Sequence, residues 1–307
     1  MKKHLFTILA SFFLLVVLFP ITASAVRAPA PHPSAHCVCG GNHRNINGHT
    51  AEEGVYFTKD GKENTSGDIS KMNAITSQAD FSTINFNFTN SKTKTFYGYL
   101  ANDVTITKQL NIADGCTFVL CLHGHTLTCN TLGQDYAFNL WNNARLVITD
   151  CQMSGDRGLI TGDCRGAVYV PKTSTLDLYG VGICMTSSDE DGLYDRDRTP
   201  ICGIRNGGTF NMYGGCPYFQ SNEYPTDRPV ISNIRNTQNG AGVVNVGTFN
   251  MYDGIISGNA RNGVLSTSIY VEDTINLYGG TITGNTGAGL STSRWPAPDI
   301  YENTKYT

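Results

Sequence analysis

The residues with metal-binding chemistry nearest the N-terminus lie in one short segment, "HCVCGGNHRNINGHT" at 36–50. Five of its side chains are of ligand type: His36, Cys37, Cys39, His43 and His49. Zinc in proteins is held by thiolate and imidazole groups, so this set predicts a zinc site. The Cys-x-Cys spacing departs from the usual zinc pairs, whose cysteines are separated by about two to four residues. Disulfides from this segment to other parts of the chain, and a plain linker, therefore remain as alternatives.

A second set of candidate ligands lies in the most charged stretch of the later chain, "SSDEDGLYDRDRTP" at 187–200. Calcium takes oxygen ligands, and the carboxylates that predict a calcium site here are Asp189, Asp191, Asp195 and Asp197. With Arg196 and Arg198 the segment also has the acid and base groups of a polysaccharide lyase. Glycoside hydrolases need paired acids at defined separations. Catalytic acids on a repetitive scaffold project from neighbouring repeats, whereas these cluster in one segment, so a solvated insertion is the simplest interpretation.

Such groups need a regular framework to position them, and the sequence repeats predict one. The clearest repeat is "GTFNMYGG" at 208–215, which occurs again as "GTFNMYDG" at 247–254. Six segments share the alternating apolar pattern, each with one anchor: Phe118, Leu146, Leu176, Phe210, Phe249 and Ile275. Successive anchors are separated by 28, 30, 34, 39 and 26 residues. Repeats of this length are typical of solenoids, and a period of two within each repeat predicts strands instead of helices.

Further strand candidates lie between the anchored segments, at 166–170, 201–206, 240–246 and 265–271. Two or three short strands per repeat, separated by Gly and Asn corners, predict an all-β chain. We expect a right-handed parallel β-helix of about six coils with a small N-terminal cap. Three asparagines fall at corresponding corners, where stacked amides form a hydrogen-bonded ladder: Asn222, Asn259 and Asn285.

Alternation along the anchored strands sends one side chain into the coil and the next one out of it. Phe210, Phe249 and Ile275 are expected to form an inward column. Two outward columns are expected beside each other, one polar and one aromatic: Asp177, Asn211, Asn250 and Asn276, and Tyr179, Tyr213, Tyr252 and Tyr278. Sugars stack their C–H faces on aromatic rings while their hydroxyl groups meet amides, so these residues are candidate glycan ligands. The alternative is an aromatic ladder that only stabilises the coils, at about 0.5–1.5 kcal/mol per ring pair.

Ten cysteines, all after residue 25, form an even set in a chain with an export signal, where disulfides are permitted. Cys164 and Cys202 each precede a strand candidate in adjacent coils. Stacked coils lie about 4.8 Å apart, within the roughly 4.4–6.8 Å between the Cα atoms of a disulfide. We therefore predict that these two cysteines pair; an inert stack of small buried side chains is the alternative.

The sequence divides into five parts: a signal peptide at 1–25, a Pro-rich linker and the Cys/His segment at 26–50, an N-terminal cap region at 51–98, the β-helix at 99–290 and a C-terminal tail or cap at 291–307. The signal peptide is predicted from Lys2 and Lys3, the apolar run after them and the small residues Ala23-Ser24-Ala25. That run is shorter than the about 20 residues of a comfortable membrane span. A secreted or loosely surface-associated protein without a membrane span is expected.

The composition supports a strand-rich chain and argues against one class of partner. Charged residues make up 15% of the sequence, which also has 33 glycines, 15 tyrosines and 14 phenylalanines. This favours many short strands joined by glycine turns. The net charge of −3 gives no basis for a nucleic-acid partner, since nucleic-acid binding usually requires a basic patch.

Several motifs together resemble a known group of proteins. The run "LNIADGCTFVLCLHGHTLT", the segment "ITDCQMSGDRGLITGD" and the repeats "GGTFNMYGG" and "GGTITGNTG" are similar to the secreted, adhesin-like β-helix proteins of gut Firmicutes, within the pectin-lyase-like superfamily. The preceding "HCVCGG" resembles a short segment that those proteins carry before the solenoid. The resemblance covers most of residues 36–290 and implies a parallel β-helix with an adhesin-like role.

Three functions fit these observations. The first is a secreted, non-catalytic adhesin-like protein that contacts glycans or cell-surface polymers through its coil faces. The second is a polysaccharide lyase or glycoside hydrolase on the same fold, and the third is a structural surface spacer. The absence of acidic or basic residues repeated at neighbouring coil positions favours the non-catalytic functions. No cofactor is firmly implied; zinc and calcium are the ions that the candidate ligand sets would take.

Overall fold

The computed structural model describes residues 74–81, 95–131, 135–150, 157–186, 201–213, 228–235, 240–266, 273–292, 300–302 and 305–306. The predicted signal peptide, the linker and the Cys/His segment lie outside these residues, as does the charged stretch at 187–200. The predicted cap region is described only at 74–81, which includes one helical turn at 78–81, and from residue 95 onward.

The described chain is a right-handed parallel β-helix, which confirms the predicted fold class. Sheet A contains β1 (Ala74–Ile75), β2 (Thr95–Leu100), β5 (Thr117–Cys121), β8 (Arg145–Thr149), β11 (Thr175–Leu178), β14 (Thr209–Met212), β17 (Thr248–Met251), β20 (Thr274–Leu277) and β23 (Ile300–Glu302). Sheet B contains β4 (Leu110–Ile112), β7 (Tyr136–Leu140), β10 (Gly166–Val170), β13 (Cys202–Asn206), β16 (Ala241–Asn245), β19 (Asn262–Ser266) and β22 (Leu290–Thr292). Sheet C contains β3 (Val104–Ile106), β6 (Thr126–Asn130), β9 (Leu159–Asp163), β12 (Gly182–Met185), β15 (Val230–Ser232), β18 (Ile255–Ser257), β21 (Thr281–Thr283) and β24 (Lys305–Tyr306).

From β2 onward, successive strands belong in turn to sheets A, C and B, so three strands complete one coil. Every strand pairs in parallel with the strand one coil away in its own sheet; β14, for example, pairs with β11 on one side and with β17 on the other. The six anchored segments are the neighbouring strands β5, β8, β11, β14, β17 and β20. Sheet A also continues past both ends of this set, because β2 begins at Thr95 and β23 at Ile300.

The predicted inward column is confirmed and forms the centre of the core. Pairing between strands places Phe210 beside Phe249, and Phe249 beside Ile275, and all three side chains are fully buried. The two phenylalanine rings stack with their centroids 5.0 Å apart. Complete burial of such a side chain stabilises the fold by about 1.5–3 kcal/mol. Near-identical sequence in two repeats is therefore a consequence of stacking, since a side chain that packs well in one coil packs equally well directly above itself.

Sheets B and C meet through a column of glycines and a column of isoleucines. A Cβ atom built on Gly242 of sheet B would lie 2.7 Å from Ile256 Cγ2 of sheet C and 2.8 Å from the carbonyl oxygen of Gly263. Gly203 and Gly263 are equally close to Ile231 and Ile282 in the neighbouring coils. The absence of a side chain on sheet B thus makes room for the isoleucines that fill the interior from sheet C.

The predicted asparagine ladder is confirmed for the two asparagines within the described residues. Asn259 Nδ2 donates to Asn285 Oδ1 at 2.8 Å, and the backbone N–H of Ile234 donates to Asn259 Oδ1 at 3.2 Å. These amides satisfy backbone and side-chain groups at the corner after sheet C. Asn222 lies outside the described residues.

The single difference between the two near-identical motifs also has a structural role. Asp253, which replaces the glycine of the earlier motif, accepts a hydrogen bond from Arg228 Nε at 2.7 Å and one from the backbone N–H of Gly254 at 2.8 Å. The carboxylate therefore fixes the turn after β17 and pairs with a cation from the preceding coil.

One strand candidate is displaced in the structure. The segments at 166–170, 201–206 and 240–246 contain β10, β13 and β16, but the candidate at 265–271 overlaps only the end of β19, which starts at Asn262. The register explains the shift, because Val264 must lie beside Val243 to continue the interior column of sheet B. Residues 267–272 lie outside the described part of the chain.

Candidate ligand-contact surface on sheet A

The predicted polar column exists and forms a hydrogen-bonded chain on the outer side of sheet A. Asn276 Nδ2 donates to Asn250 Oδ1, Asn250 Nδ2 to Asn211 Oδ1, and Asn211 Nδ2 to Asp177 Oδ1, each at 2.7 Å. Every amide thus donates toward the N-terminal coil, and Asn250 and Asn211 also accept from the C-terminal one. We call this set the amide column; it is made possible by the exact alignment of β11, β14, β17 and β20.

The amide column ends at an acid because the last member needs only to accept. Asp177 receives Asn211 on one carboxylate oxygen and Arg145 on the other, with Arg145 Nε at 2.7 Å and Nη2 at 2.6 Å from Oδ2. Asp177 is 1% exposed, so its charge requires a partner. Burial opposes the charge of Arg145, but the carboxylate of Asp177 raises the pKa of the guanidinium above its ordinary value.

In the two coils before Asp177, the corresponding outward positions are apolar. Val147 and Val119 occupy the equivalent positions of β8 and β5, and both pack into an outer hydrophobic cluster with Cys121, Tyr179 and Tyr213. In this column, therefore, the outward residues change from valine to polar at Asp177 on β11. This boundary makes the face chemically asymmetric along the solenoid axis.

The predicted aromatic column also exists, as a continuous stack of rings. Tyr179 and Tyr213 have ring centroids 4.7 Å apart, whereas Tyr213 and Tyr252, and Tyr252 and Tyr278, are each 4.9 Å apart. The interplanar angles are 13°, 4° and 10°, so the rings are nearly parallel. We call these four residues the tyrosine column, and the two columns together the tyrosine–asparagine surface.

Exposure increases along the tyrosine column toward the C-terminus. Tyr179 and Tyr213 are only 3% and 4% exposed, Tyr252 is half-buried, and Tyr278 is 39% exposed. Each inner ring also has its faces covered by neighbouring rings, so those faces are not available for a sugar. The accessible part of the tyrosine–asparagine surface is therefore its C-terminal end, formed by the ring of Tyr278, the edge of the Tyr252 ring, Asn250 and Asn276.

The buried rings remain neutral over a wide pH range. Burial raises the pKa of Tyr213 above the ordinary tyrosine value, and the negative charge of Asp177 adds to the effect. Burial likewise raises the pKa of Tyr252, with a further contribution from Tyr278. Since Arg145 and Asp177 neutralise each other, the tyrosine–asparagine surface offers hydrogen bonds and apolar contacts instead of net charge.

The two predicted metal sets cannot be located. His36, Cys37, Cys39, His43 and His49, proposed for zinc, all lie outside the described residues, and so do Asp189, Asp191, Asp195 and Asp197, proposed for calcium. Within the described ranges, no group of three or more His, Cys, Asp or Glu side chains is arranged to hold a metal ion. Both metal sites therefore stay predictions from the sequence.

Cys164 and Cys202, predicted to pair, are not brought together. Cys164 belongs to the interior core, where its Sγ lies 3.4 Å from Met185 Sδ. Cys202 belongs to a separate cluster on sheet B with Tyr136. The two cysteines are also out of register, because the Cβ position of Gly166, two residues after Cys164, is the one that faces the backbone of Cys202.

Sequence reasoning missed one important member of the surface, Arg145. The available signal was the single acid at the start of a column of asparagines, which requires a nearby cation. Arg145 precedes the apolar anchor of the preceding repeat, "RLVITD", and its long side chain crosses to the next coil to reach Asp177.

Comparisons of the chain with protein-family models, with curated proteins and with solved structures found no match. The class of the protein is accordingly defined by its own geometry: it is a right-handed parallel β-helix protein with a stacked tyrosine and asparagine surface on one sheet. Within the part of the chain that the structure describes, no helix is long and apolar enough to cross a membrane.

Proposed function

We propose that this protein is a secreted, non-catalytic, adhesin-like binding protein that contacts glycans or other cell-surface polymers through the tyrosine–asparagine surface. The observation that carries the proposal is the in-register repetition of Tyr beside Asn, which ends in the accessible residues Tyr252, Tyr278, Asn250 and Asn276. A polymer with a regular repeat is suited to a surface whose contact groups recur at every coil, about 4.8 Å apart.

The amides of the surface keep hydrogen-bonding capacity for a ligand. An asparagine side chain has two N–H donors and two acceptor lone pairs. Within the amide column, Asn250 uses one N–H toward Asn211 and one lone pair toward Asn276. The remaining donor and acceptor are the pair of groups that a sugar hydroxyl meets.

The electrostatics of the surface favour an uncharged polymer. Burial keeps the pKa of Tyr252 above its ordinary value, so the ring is neutral at physiological pH, and the amides carry no charge. Two ion pairs lie along the surface, and each is neutral as a pair: Arg145 with Asp177 at the opposite end of the column, and Arg228 with Asp253, which directly follows Tyr252. Neutral glycans are therefore the preferred ligand class.

Two sequence features support delivery to a surface where such polymers occur. The segment at 1–25 has the composition of a secretory signal peptide. The repeats also resemble those of the adhesin-like β-helix proteins of gut Firmicutes. These features support the proposed secretion and adhesin-like role without specifying the ligand.

A structural spacer is the second candidate, and one observation favours it. Tyr179 and Tyr213 are almost completely buried and cover each other's ring faces, as expected for side chains whose role is to hold coils together. A spacer would use the whole tyrosine column for stability and none of it for a ligand.

The test is a panel of neutral and acidic polysaccharides cast into native gels, in which a ligand retards the protein. Retardation by one or more neutral polysaccharides is expected. The same mixtures are followed at 235 nm for unsaturated products and by a reducing-sugar assay. Unretarded migration in every gel would favour the spacer, and product formation would overturn the non-catalytic proposal.

A further inference from the structure

Three sulfur atoms from successive coils meet in the interior beneath sheet C. Cys129 lies near the end of β6, Cys164 directly after β9, and Met185 at the end of β12. All three side chains are fully buried and belong to the central core. Cys164 Sγ lies 3.4 Å from Met185 Sδ and 3.2 Å from the carbonyl oxygen of Gly166, to which the thiol donates.

The backbone of Gly162 creates the space in which these sulfurs meet. Gly162 lies directly between Cys129 and Met185 in the strand pairing. Its φ of +127° is unfavourable for other residues, and a Cβ atom there would lie only 1.9 Å from the carbonyl oxygen of Cys129. The interior position at this coil therefore has no side chain of its own, and the side chain of Cys164 occupies the same region of the core.

Cys129 and Met185 flank Gly162 in the strand pairing, and Cys164 Sγ contacts Met185 in the space that Gly162 leaves, so the thiols of Cys129 and Cys164 are neighbours in the core. Their interaction lowers the pKa of Cys129 and raises that of Cys164. The strands that carry them are direct neighbours in sheet C. Formation of an S–S bond would require the Cys164 side chain to turn from Met185 toward Cys129.

We propose that Cys129 and Cys164 form a disulfide that links the coil of β6 to the coil of β9. In this step each thiol loses its proton, the two sulfurs form one S–S bond, and two electrons pass to a small-molecule or protein disulfide, which is reduced to two thiols. Exchange proceeds through a mixed disulfide on one cysteine, which the other then displaces. Because both thiols are fully buried, the reaction takes place before the two coils have closed on each other.

The bond would hold together the coils that precede the amide column. A solenoid is stabilised mainly by contacts between neighbouring repeats, so it can open between any two coils. A covalent link from β6 to β9 closes the intervening chain, which contains β7 and β8, and so resists opening at that point. Met185 has a flexible side chain and can fill the space that Cys164 Sγ leaves on turning toward Cys129.

The decisive experiment is peptide mapping of the full chain after refolding in a mixture of reduced and oxidised glutathione, with alkylation in denaturant and without reduction. We expect a cross-linked peptide pair that contains Cys129 and Cys164, with a mass two hydrogens below the sum of the two thiol peptides. Alkylation of both residues in most molecules would overturn the proposal. So would a link from either residue to another cysteine, including the Cys164–Cys202 link predicted from the sequence.

A stability measurement gives an independent test. Reductant should lower the melting temperature of the oxidised wild-type protein by on the order of 5–10 °C, because loss of the link frees the unfolded chain. A Cys129→Ala/Cys164→Ala variant should show no such response, and a Cys184→Ala control should respond as the wild type does. Equal responses of the wild type and the double variant would contradict the proposal; should the double variant not fold, the mapping of the wild type decides alone.

Discussion

Arg145 Nε lies 2.7 Å from Asp177 Oδ2, and this contact between adjacent coils closes the hydrogen-bonded chain that begins at Asn276. Asparagine can extend such a chain in both directions because it donates and accepts, whereas a carboxylate can only accept. The column therefore needs an acid at the end toward which the amides donate, and the acid needs a cation. Arg145 supplies that cation from the preceding coil.

Replacement of Asp177 by Asn is expected to destabilise the protein in spite of its similar shape. The new amide would direct N–H groups toward Arg145 or Asn211, and the guanidinium would lose its counter-charge. We expect the free energy of unfolding to fall by about 1–3 kcal/mol. This is less than for a fully buried ion pair, because the Arg145 side chain is 47% exposed and water screens its charge. Urea unfolding measures the change. A variant Asp177→Asn/Arg145→Met should recover part of it; no recovery would show that the ion pair is not the cause.

High pH should destabilise the protein through the tyrosine column. A tyrosine with a raised folded-state pKa contributes its full stabilisation below the unfolded value of about 10, and this contribution is lost as the pH rises through the folded-state pKa. Burial raises the pKa of Tyr213 in this way. The melting temperature of the wild type should therefore fall above about pH 10, and that of Tyr213→Phe should fall less.

The comparison is meaningful because phenylalanine retains the ring stack. The two proteins should melt within a few degrees of each other at pH 7, where no tyrosine ionises. Parallel curves between pH 9 and 11.5 would contradict the assignment of the alkaline instability to Tyr213.

The glycine column of sheet B should not accept even one methyl group. A Cβ atom on Gly242 would lie 2.7 Å from Ile256 Cγ2 and 2.8 Å from a backbone oxygen, and neither neighbour can move without disturbing the core. We expect Gly242→Ala to destabilise the fold by about 1–3 kcal/mol, the usual effect of an overpacked core.

Gly207 provides the matched control for this substitution. The atom nearest to its Cβ position is the carbonyl oxygen of Val170 at 3.3 Å, and the next is 3.7 Å away. Gly207→Ala should therefore change the urea midpoint much less than Gly242→Ala does. Equal effects of the two variants would mean that the contact with Ile256 does not limit the size of the residue at 242.

In the asparagine ladder at the corner after sheet C, removal of the Asn259 side chain should lower the free energy of unfolding more than removal of the Asn285 side chain. Asn259→Ala leaves the buried N–H of Ile234 without its acceptor and removes the side-chain donor to Asn285 Oδ1, which keeps only the backbone N–H of residue 259; the expected loss is about 1–3 kcal/mol. Asn285 is half-buried, so water can replace more of its contacts, and Asn285→Ala should have a smaller effect on the urea midpoint. A larger effect of Asn285→Ala would contradict the ladder as described.

The parts of the fold that were predictable are those in which identical residues stack on themselves. Phe210 and Phe249, Asn211 and Asn250, and Tyr213 and Tyr252 occur at equal positions of one motif, so the motif alone defines both columns. Sheet C was harder to recognise, because β18 has the form "IIS" and β21 the form "TIT", with one shared inward isoleucine. That isoleucine and the glycine before each strand are the usable signal.

The contacts that could not be predicted join residues at non-equivalent positions of neighbouring repeats. Arg145 reaches diagonally to Asp177, and Cys164 lies beyond the register position of Cys129, so neither pair follows from alignment of the repeats. The predicted Cys164–Cys202 pair assumed equal register, whereas Cys164 lies two residues before β10 and Cys202 is the first residue of β13. The exposure gradient along the tyrosine column is also absent from the motif, since the same five residues precede Tyr213 and Tyr252 but their burial differs.

The most direct test of the central claim compares side-chain variants for retention by a polysaccharide that retards the wild-type protein. Tyr278→Ala and Asn276→Ala alter the accessible end of the tyrosine–asparagine surface, whereas Trp141→Ala removes a 53% exposed aromatic ring from the turn between sheets B and A. We expect the first two variants to bind at least about tenfold more weakly, equivalent to 1.4 kcal/mol, and Trp141→Ala to bind as the wild type does. Unchanged retention of Tyr278→Ala and Asn276→Ala, or equal loss in Trp141→Ala, would contradict ligand contact through this surface.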